Sequence, residues 1–167
     1  DFGCHPDRQK LPWVEASCGS LGHGIGIGVG VALAFQIANS TRKVITLIGD
    51  GESNEGTVWE AIMVAVDQGL ANLTILYDHN RSQTRCLQIE NPAERFQSFG
   101  CEVYEVNGHA VNEIKSAIRQ PQLKPKIIVC NTRKGFGCKT FLDEMFPWHR
   151  RSPNDEELKR LIEELYA

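Results

Sequence analysis

Four short apolar runs rich in β-branched residues punctuate the chain, with segments of helical period between them. Val44-Ile45-Thr46-Leu47-Ile48, ending at Gly49, is the clearest, and similar runs occupy 73–77, 103–106 and 127–130. Continuous apolar runs of this length read as strands buried on both faces. Trp59, Ile62, Met63, Val66 and Leu70 keep the i, i+3, i+4, i+7 rhythm of an amphipathic helix, and Val111, Ile114, Ala117 and Ile118 repeat it more weakly. Strands alternating with helices need crossover connections, which are right-handed. The expected fold class is therefore α/β, a doubly wound, mostly parallel sheet with helices on both faces. Ligands in such folds sit at the C-terminal ends of the strands.

Residues 24–38 are apolar almost all round despite Gly26, Gly28 and Gly30. They predict a buried helix whose glycines admit close approach by another backbone, a second subunit being one candidate neighbour. Near the other end, Asn154 followed three residues later by Glu157 is a helix start, and Leu158, Leu161, Ile162 and Leu165 give that terminal helix an apolar stripe for docking. No internal repeat or long linker divides the chain, so residues 1–167 are expected to form a single domain. A balance of 18 Lys+Arg against 21 Asp+Glu, net −3, argues against nucleic-acid binding. No apolar run suggests a membrane span, and no charged start followed by an apolar stretch suggests a signal peptide. Six cysteines without a CxxC pair read as buried free thiols in a reducing cytoplasm.

The chemistry concentrates where the first strand ends, in Gly49-Asp50-Gly51-Glu52-Ser53-Asn54-Glu55-Gly56. Two glycines let the backbone approach an anion near a helix N-terminus, and Asp50 between them offers a hard oxygen ligand for a divalent cation. On its own this is equally a turn with an aspartate. Thirty residues on, Asn80 follows the second strand. Parallel neighbours joined by one helix would bring Asp50 and Asn80 to the same sheet edge, where a carboxylate and an amide oxygen could share one Mg²⁺. Diphosphate oxygens, a backbone carbonyl and a water would complete an octahedron.

In this pattern the sequence resembles the thiamine-diphosphate enzymes, and the flanking blocks narrow the resemblance to the transketolase family. Those blocks are Cys4-His5-Pro6-Asp7, Val14-Glu15-Ala16-Ser17-Cys18-Gly19-Ser20-Leu21-Gly22-His23-Gly24, the GDGESNEG segment, and Val58-Trp59-Glu60-Ala61. Asn107-Gly108-His109, residues 132–137 and Trp148-His149 extend the match to nearly the whole chain. The implied fold is the thiamine-diphosphate-binding fold. The implied activity is transfer of a two-carbon ketol group from a ketose to an aldose, with thiamine diphosphate and Mg²⁺ as cofactors. By the same resemblance Asp50 and Asn80 are side-chain metal ligands and Ser82 gives a backbone carbonyl. Gly49, Gly51 and Glu52 belong to the diphosphate motif, with the Gly51 N–H as donor. Gly19, Ser20 and Leu21 line the cofactor, and Lys134 and His149 stand beside it. His5 faces the donor sugar, while Glu55 and Glu60 link paired sites at the subunit interface.

The resemblance also implies an upstream segment and a separate pyrimidine-binding domain or subunit, neither matched by residues 1–167. It implies sugar substrates, phosphorylated in some members, and a dimer of heterodimers or a homodimer of a longer chain. Rival expectations are an E1-type subunit of a 2-oxo acid dehydrogenase and a non-catalytic cofactor-binding or regulatory subunit. The chain departs from the usual family residues at Cys18, His23, the Arg81 to Thr84 stretch and Arg150. Together Arg150 and Arg151 add positive charge near the expected diphosphate mouth.

Overall fold

The computed structural model describes residues 5–83 and 87–166. Four strands form one parallel sheet: β1 Val44–Gly49, β2 Leu73–His79, β3 Glu102–Asn107 and β4 Lys126–Asn131, in spatial order β1-β2-β4-β3. Each matches one of the apolar runs. Helix α1 (His23–Ile37) precedes the sheet, α2 (Gly56–Asp67) joins β1 to β2, and α4 (Val111–Arg119) joins β3 to β4. Between β2 and β3 lies α3 (Pro92–Ser98), a helix that the periodicity did not reveal. Seven residues are too few for a period to emerge; its signal was Pro92 at the first helical turn.

One face of the sheet carries Ile48, Leu73, Ile75, Tyr77, Ile127 and Val129 into the main core beneath α1, α2 and α3. The other face is covered only in part, by α4, which sets Ala117 against Ile128 and Cys130. On that face the edge strand β1 leaves Leu47 68% exposed, with Ile45 exposed beside it.

Helix α2 corrects the expected stripe by one position. Its buried residues are Val58, Ala61, Ile62 and Ala65, while Met63 faces outward and Leu70 lies beyond the helix end. Trp59 stacks on Phe96, lies tilted against Phe99 and donates its indole N–H to the Ser53 carbonyl at 2.8 Å. Helix α1 is corrected more deeply, because only Ile25, Gly28, Val29 and Ala32 are buried. A Cβ on Gly28 would stand 2.6 Å from Thr46 Cγ2, so that glycine allows the helix to close on β1. Gly26 and Gly30 face outward, with no described atom within 4 Å of a Cβ built on them. The outward face also bears Ile27, Val31 and Ile37, and α1 contains no charged residue.

After β4 come α5 (Lys139–Asp143), α6 (Met145–Trp148) and α7 (Asp155–Tyr166). The expected cap of α7 forms reciprocally: Glu157 N–H donates to Asn154 Oδ1 at 2.9 Å, and Asn154 N–H to Glu157 Oε2 at 3.0 Å. Helix α7 docks through buried Leu161 and through Glu164, which accepts from the Thr140 N–H and hydroxyl at the start of α5. Cys101, Cys130 and Cys138 are buried free thiols, but Cys18 is exposed because its loop lies outside the core; Cys4 and Cys86 fall outside the described residues. No helix among the described residues is long and apolar enough to cross a membrane.

Candidate functional site

Parallel pairing of β1 with β2 aligns Gly49 with Asp78, so Asp50 and Asn80 leave the sheet at the same end. The Asp50 N–H donates to the Asp78 carbonyl at 3.1 Å, tying the two exits together. Beyond Asn80 the chain turns sharply through Arg81, whose φ of 61° is left-handed. That turn returns the Ser82 N–H to Asn80 Oδ1 at 2.9 Å and its hydroxyl to Asp50 Oδ1 at 3.4 Å. Three residues named from spacing and family resemblance thus converge.

Asp50 is wholly buried. Its Oδ1 accepts the Gly51 N–H at 2.7 Å, whereas Oδ2 has no hydrogen-bond partner among the described residues. A buried carboxylate oxygen left unpaired is costly unless a cation completes it. Burial pushes the Asp50 carboxyl above its ordinary pKa; the N–H groups of Gly51 and Arg81 and the His79 imidazole oppose this, and the Asp78 carboxylate adds to it. Among the described residues no three His, Cys, Asp or Glu side chains cluster as a metal cage. The donors present, one carboxylate and one amide oxygen, suit a hard ion that keeps water and phosphate oxygens in its shell, as Mg²⁺ does. No described atom lies within 4 Å of a Cβ built on Gly49 or Gly51, so the space beside both is open to such a ligand.

Asp78, which neither spacing nor resemblance singled out, holds this group in place. Its Oδ2 accepts from Asn80 Nδ2 at 2.7 Å, and its Oδ1 accepts the Thr132 hydroxyl from the end of β4. The available signal was strand parity: residues 78 and 80 share a face, and a carboxylate there had no apolar reason to be present.

Lys134 and His149, fifteen residues apart, meet through Nζ and Nδ1. The Lys134 ammonium is the largest influence holding the His149 imidazole below its ordinary pKa, with burial and Arg150 adding to it. Burial likewise lowers the Lys134 ammonium, against the pull of the Asp50 and Asp78 carboxylates. A cavity of about 480 Å³ opens beside Lys134, lined also by Asp78, Asn80, His109, Thr132 and Phe136. His109 stacks on Phe136 with centroids 3.8 Å apart and accepts the Arg133 N–H at 2.9 Å, a structural post for the loop.

Other named residues stand around this centre. Glu52 spends its oxygens on two backbone amides, Gly22 N–H at 2.9 Å and Gly49 N–H at 3.2 Å, so it clamps the turn of Gly19, Ser20 and Leu21 to the end of β1. The His5 ring lies 3.8 Å from a Cβ built on Gly19, beside the same turn. Ser20 Oγ pairs with His23 Nδ1 at 3.1 Å. Glu55 is the exposed residue before α2, and Glu60 lies on its outward face with Met63 and Val64. Arg151 adds no free charge at the mouth: it pairs through both guanidinium nitrogens with Glu157 and lies 3.6 Å over the Trp148 ring. Arg150 is exposed beside His149.

A family profile described as "Transketolase, thiamine diphosphate binding domain" matches residues 2–161. One of the subunits of an apulose-4-phosphate transketolase from Actinobacillus succinogenes is 36% identical over 168 residues, covering 96% of this chain and 60% of that protein. A 6-deoxy-6-sulfo-D-fructose transketolase subunit of a Clostridium strain is also 36% identical, over 96% of this chain and 61% of that protein. The chain thus spans about 60% of the length of these curated relatives. Among solved structures, the Pichia stipitis transketolase in complex with sedoheptulose 7-phosphate superposes with a TM-score of 0.73 at 30% identity, covering 81% of this chain and 23% of that one. The Campylobacter jejuni transketolase gives 0.71 at 32% identity, over 77% and 22%.

Proposed function

We propose, for a chain that belongs to the transketolase family through its thiamine-diphosphate-binding domain, that residues 1–167 are the diphosphate-binding side of a cytoplasmic, two-chain transketolase-like enzyme. Two relatives that match over nearly all of this chain are named as subunits, which supports a partner carrying the pyrimidine-binding domain. The uncharged outward face of α1 offers a surface for such assembly, as a heterodimer or a pair of heterodimers. The observation that carries the reading is the unpaired, buried Oδ2 of Asp50, with Lys134 under the pull of the Asp50 and Asp78 carboxylates and paired with His149.

Asp50 and Asn80 hold Mg²⁺ by their side-chain oxygens, and the turn at Arg81 presents the Ser82 carbonyl. Gly49 and Gly51 serve the diphosphate by leaving room for it, since the Gly51 N–H already donates to Asp50. Lys134 and His149 set positive and hydrogen-bonding groups at its edge. Gly19, Ser20 and Leu21 border the cofactor, with His5 beside them to move protons at sugar hydroxyls. Glu55 and Glu60 meet the partner. When bound, thiamine diphosphate supplies the carbon–carbon cleavage and ketol-transfer chemistry. The names of both relatives specify sugars with a strongly acidic group, and exposed Arg150 beside His149 suits an anionic substrate of that kind.

Calorimetric titration of thiamine diphosphate with Mg²⁺, on the chain alone and with its pyrimidine-domain partner, tests this. Binding in the complex and its loss in Asp50→Ala are the expected results. Binding in neither preparation overturns the cofactor assignment, and full binding to the isolated chain overturns the two-chain arrangement.

A further inference from the structure

We infer that Asp78 is a positioning residue that fixes which end of the Asn80 amide faces the cation. This rests on the reading of Asp50 and Asn80 as Mg²⁺ ligands. An asparagine amide has nearly the same shape either way round but opposite polarity, so a half-turn would point an NH₂ group at the metal. Backbone and side chain act together to prevent this. The Ser82 N–H donates to Oδ1 at 2.9 Å, and Asp78 Oδ2 receives Nδ2 at 2.7 Å. A carboxylate offers acceptors alone, so it holds only the NH₂ end.

Asp78 is anchored for this task. Its Oδ1 is taken by the Thr132 hydroxyl, its carbonyl by the Asp50 N–H, and its backbone lies at the paired end of β2 between β1 and β4. The Asp50 ligand and the Asn80 orientation therefore share one scaffold residue. Groups of this kind behind metal ligands commonly change affinity by about 10–100-fold.

The test uses Mg²⁺ affinity in the same complex, at fixed thiamine diphosphate, together with exchange of the Asn80 side-chain amide protons in the metal-free protein. Asp78→Asn, whose amide accepts either orientation, should weaken Mg²⁺ by about tenfold or more and speed that exchange. The reciprocal pair Asp78→Asn with Asn80→Asp keeps the charge, restores a donor-to-carboxylate bond and leaves one oxygen of the relocated carboxylate for the metal. It should recover most of the lost affinity. Thr132→Val, which keeps Asp78 but frees its carboxylate, should weaken Mg²⁺ less than Asp78→Asn and guards against a variant that fails to fold. Unchanged affinity in Asp78→Asn alongside lost affinity in Asp50→Ala overturns the positioning role and leaves the cation site standing. Asn80 amide protons that exchange as in a free side chain also overturn it, because simple charge attraction would not protect them. Asp50→Ala that binds Mg²⁺ normally overturns the cation site itself, and the role of Asp78 with it.

Discussion

Asp50 carries a cost of burial that a bound cation would remove. Its carboxyl is raised by burial, so in the cation-free chain the folded state takes up a proton at a higher pH than the unfolded state does. Stability from this group therefore rises as pH falls through the folded pKa, the reverse of a salt-bridged aspartate. Asp50→Asn should flatten that dependence and stabilise the metal-free chain at neutral pH by about 1 kcal/mol, while abolishing Mg²⁺ binding. Urea unfolding of both proteins across the acid range checks it; destabilisation of the cation-free variant at neutral pH would contradict it. Asp50 and Asn80 were legible as neighbours at one sheet edge because the motif after β1, and its spacing to the end of the next strand, are local features. Asp78 was marked by parity alone, because its use depends on Thr132, 54 positions away, just past the end of β4.

Helix α7 shows what local pattern can and cannot convey. Its start was legible because a capping box is a contact within four residues, Asn154 to Glu157. Its docking was not, since Glu164 meets Thr140 and the Cys138 thiol across the fold. The Thr140 hydroxyl and N–H, aided by Cys138, hold the Glu164 carboxyl down to about 2, from an ordinary 4.5. The stabilisation is thus complete above about pH 4.5 and is lost as pH falls toward 2. Amide exchange in α7 should accelerate across that window before the sheet opens, and Glu164→Gln should show fast exchange already at neutral pH. Equal protection in wild type and variant would remove this anchor. The one-position shift in α2 was hidden for a related reason: which of several apolar residues turns inward is decided by the neighbour, here Phe96 and Phe99 beside Trp59.

At the scale of the molecule, the strands followed from the apolar runs and their parallel direction from the alternation with helices, but their order β1-β2-β4-β3 did not, since crossover rules fix handedness and leave the neighbour open. Which neighbour covers α1 was not legible, although a second subunit was a candidate: an uncharged helix reads as buried whether its cover lies within the chain or outside it. Its glycines separate the two cases. Gly28→Ala would collide with Thr46 and should destabilise the chain by about 1–3 kcal/mol. Gly30→Ala meets no described atom and should stabilise the isolated chain by up to about 1 kcal/mol, yet weaken association with the proposed partner chain. Thermal melting and partner titration together decide this, and unaltered association would place the interface elsewhere. The Glu52 clamp has a last consequence. Because one carboxylate holds both the Gly22 and Gly49 amides, the two glycine loops behave as a single jaw, set when the chain folds. A ligand that touches either loop meets both already in register, and little freedom remains to be surrendered on binding.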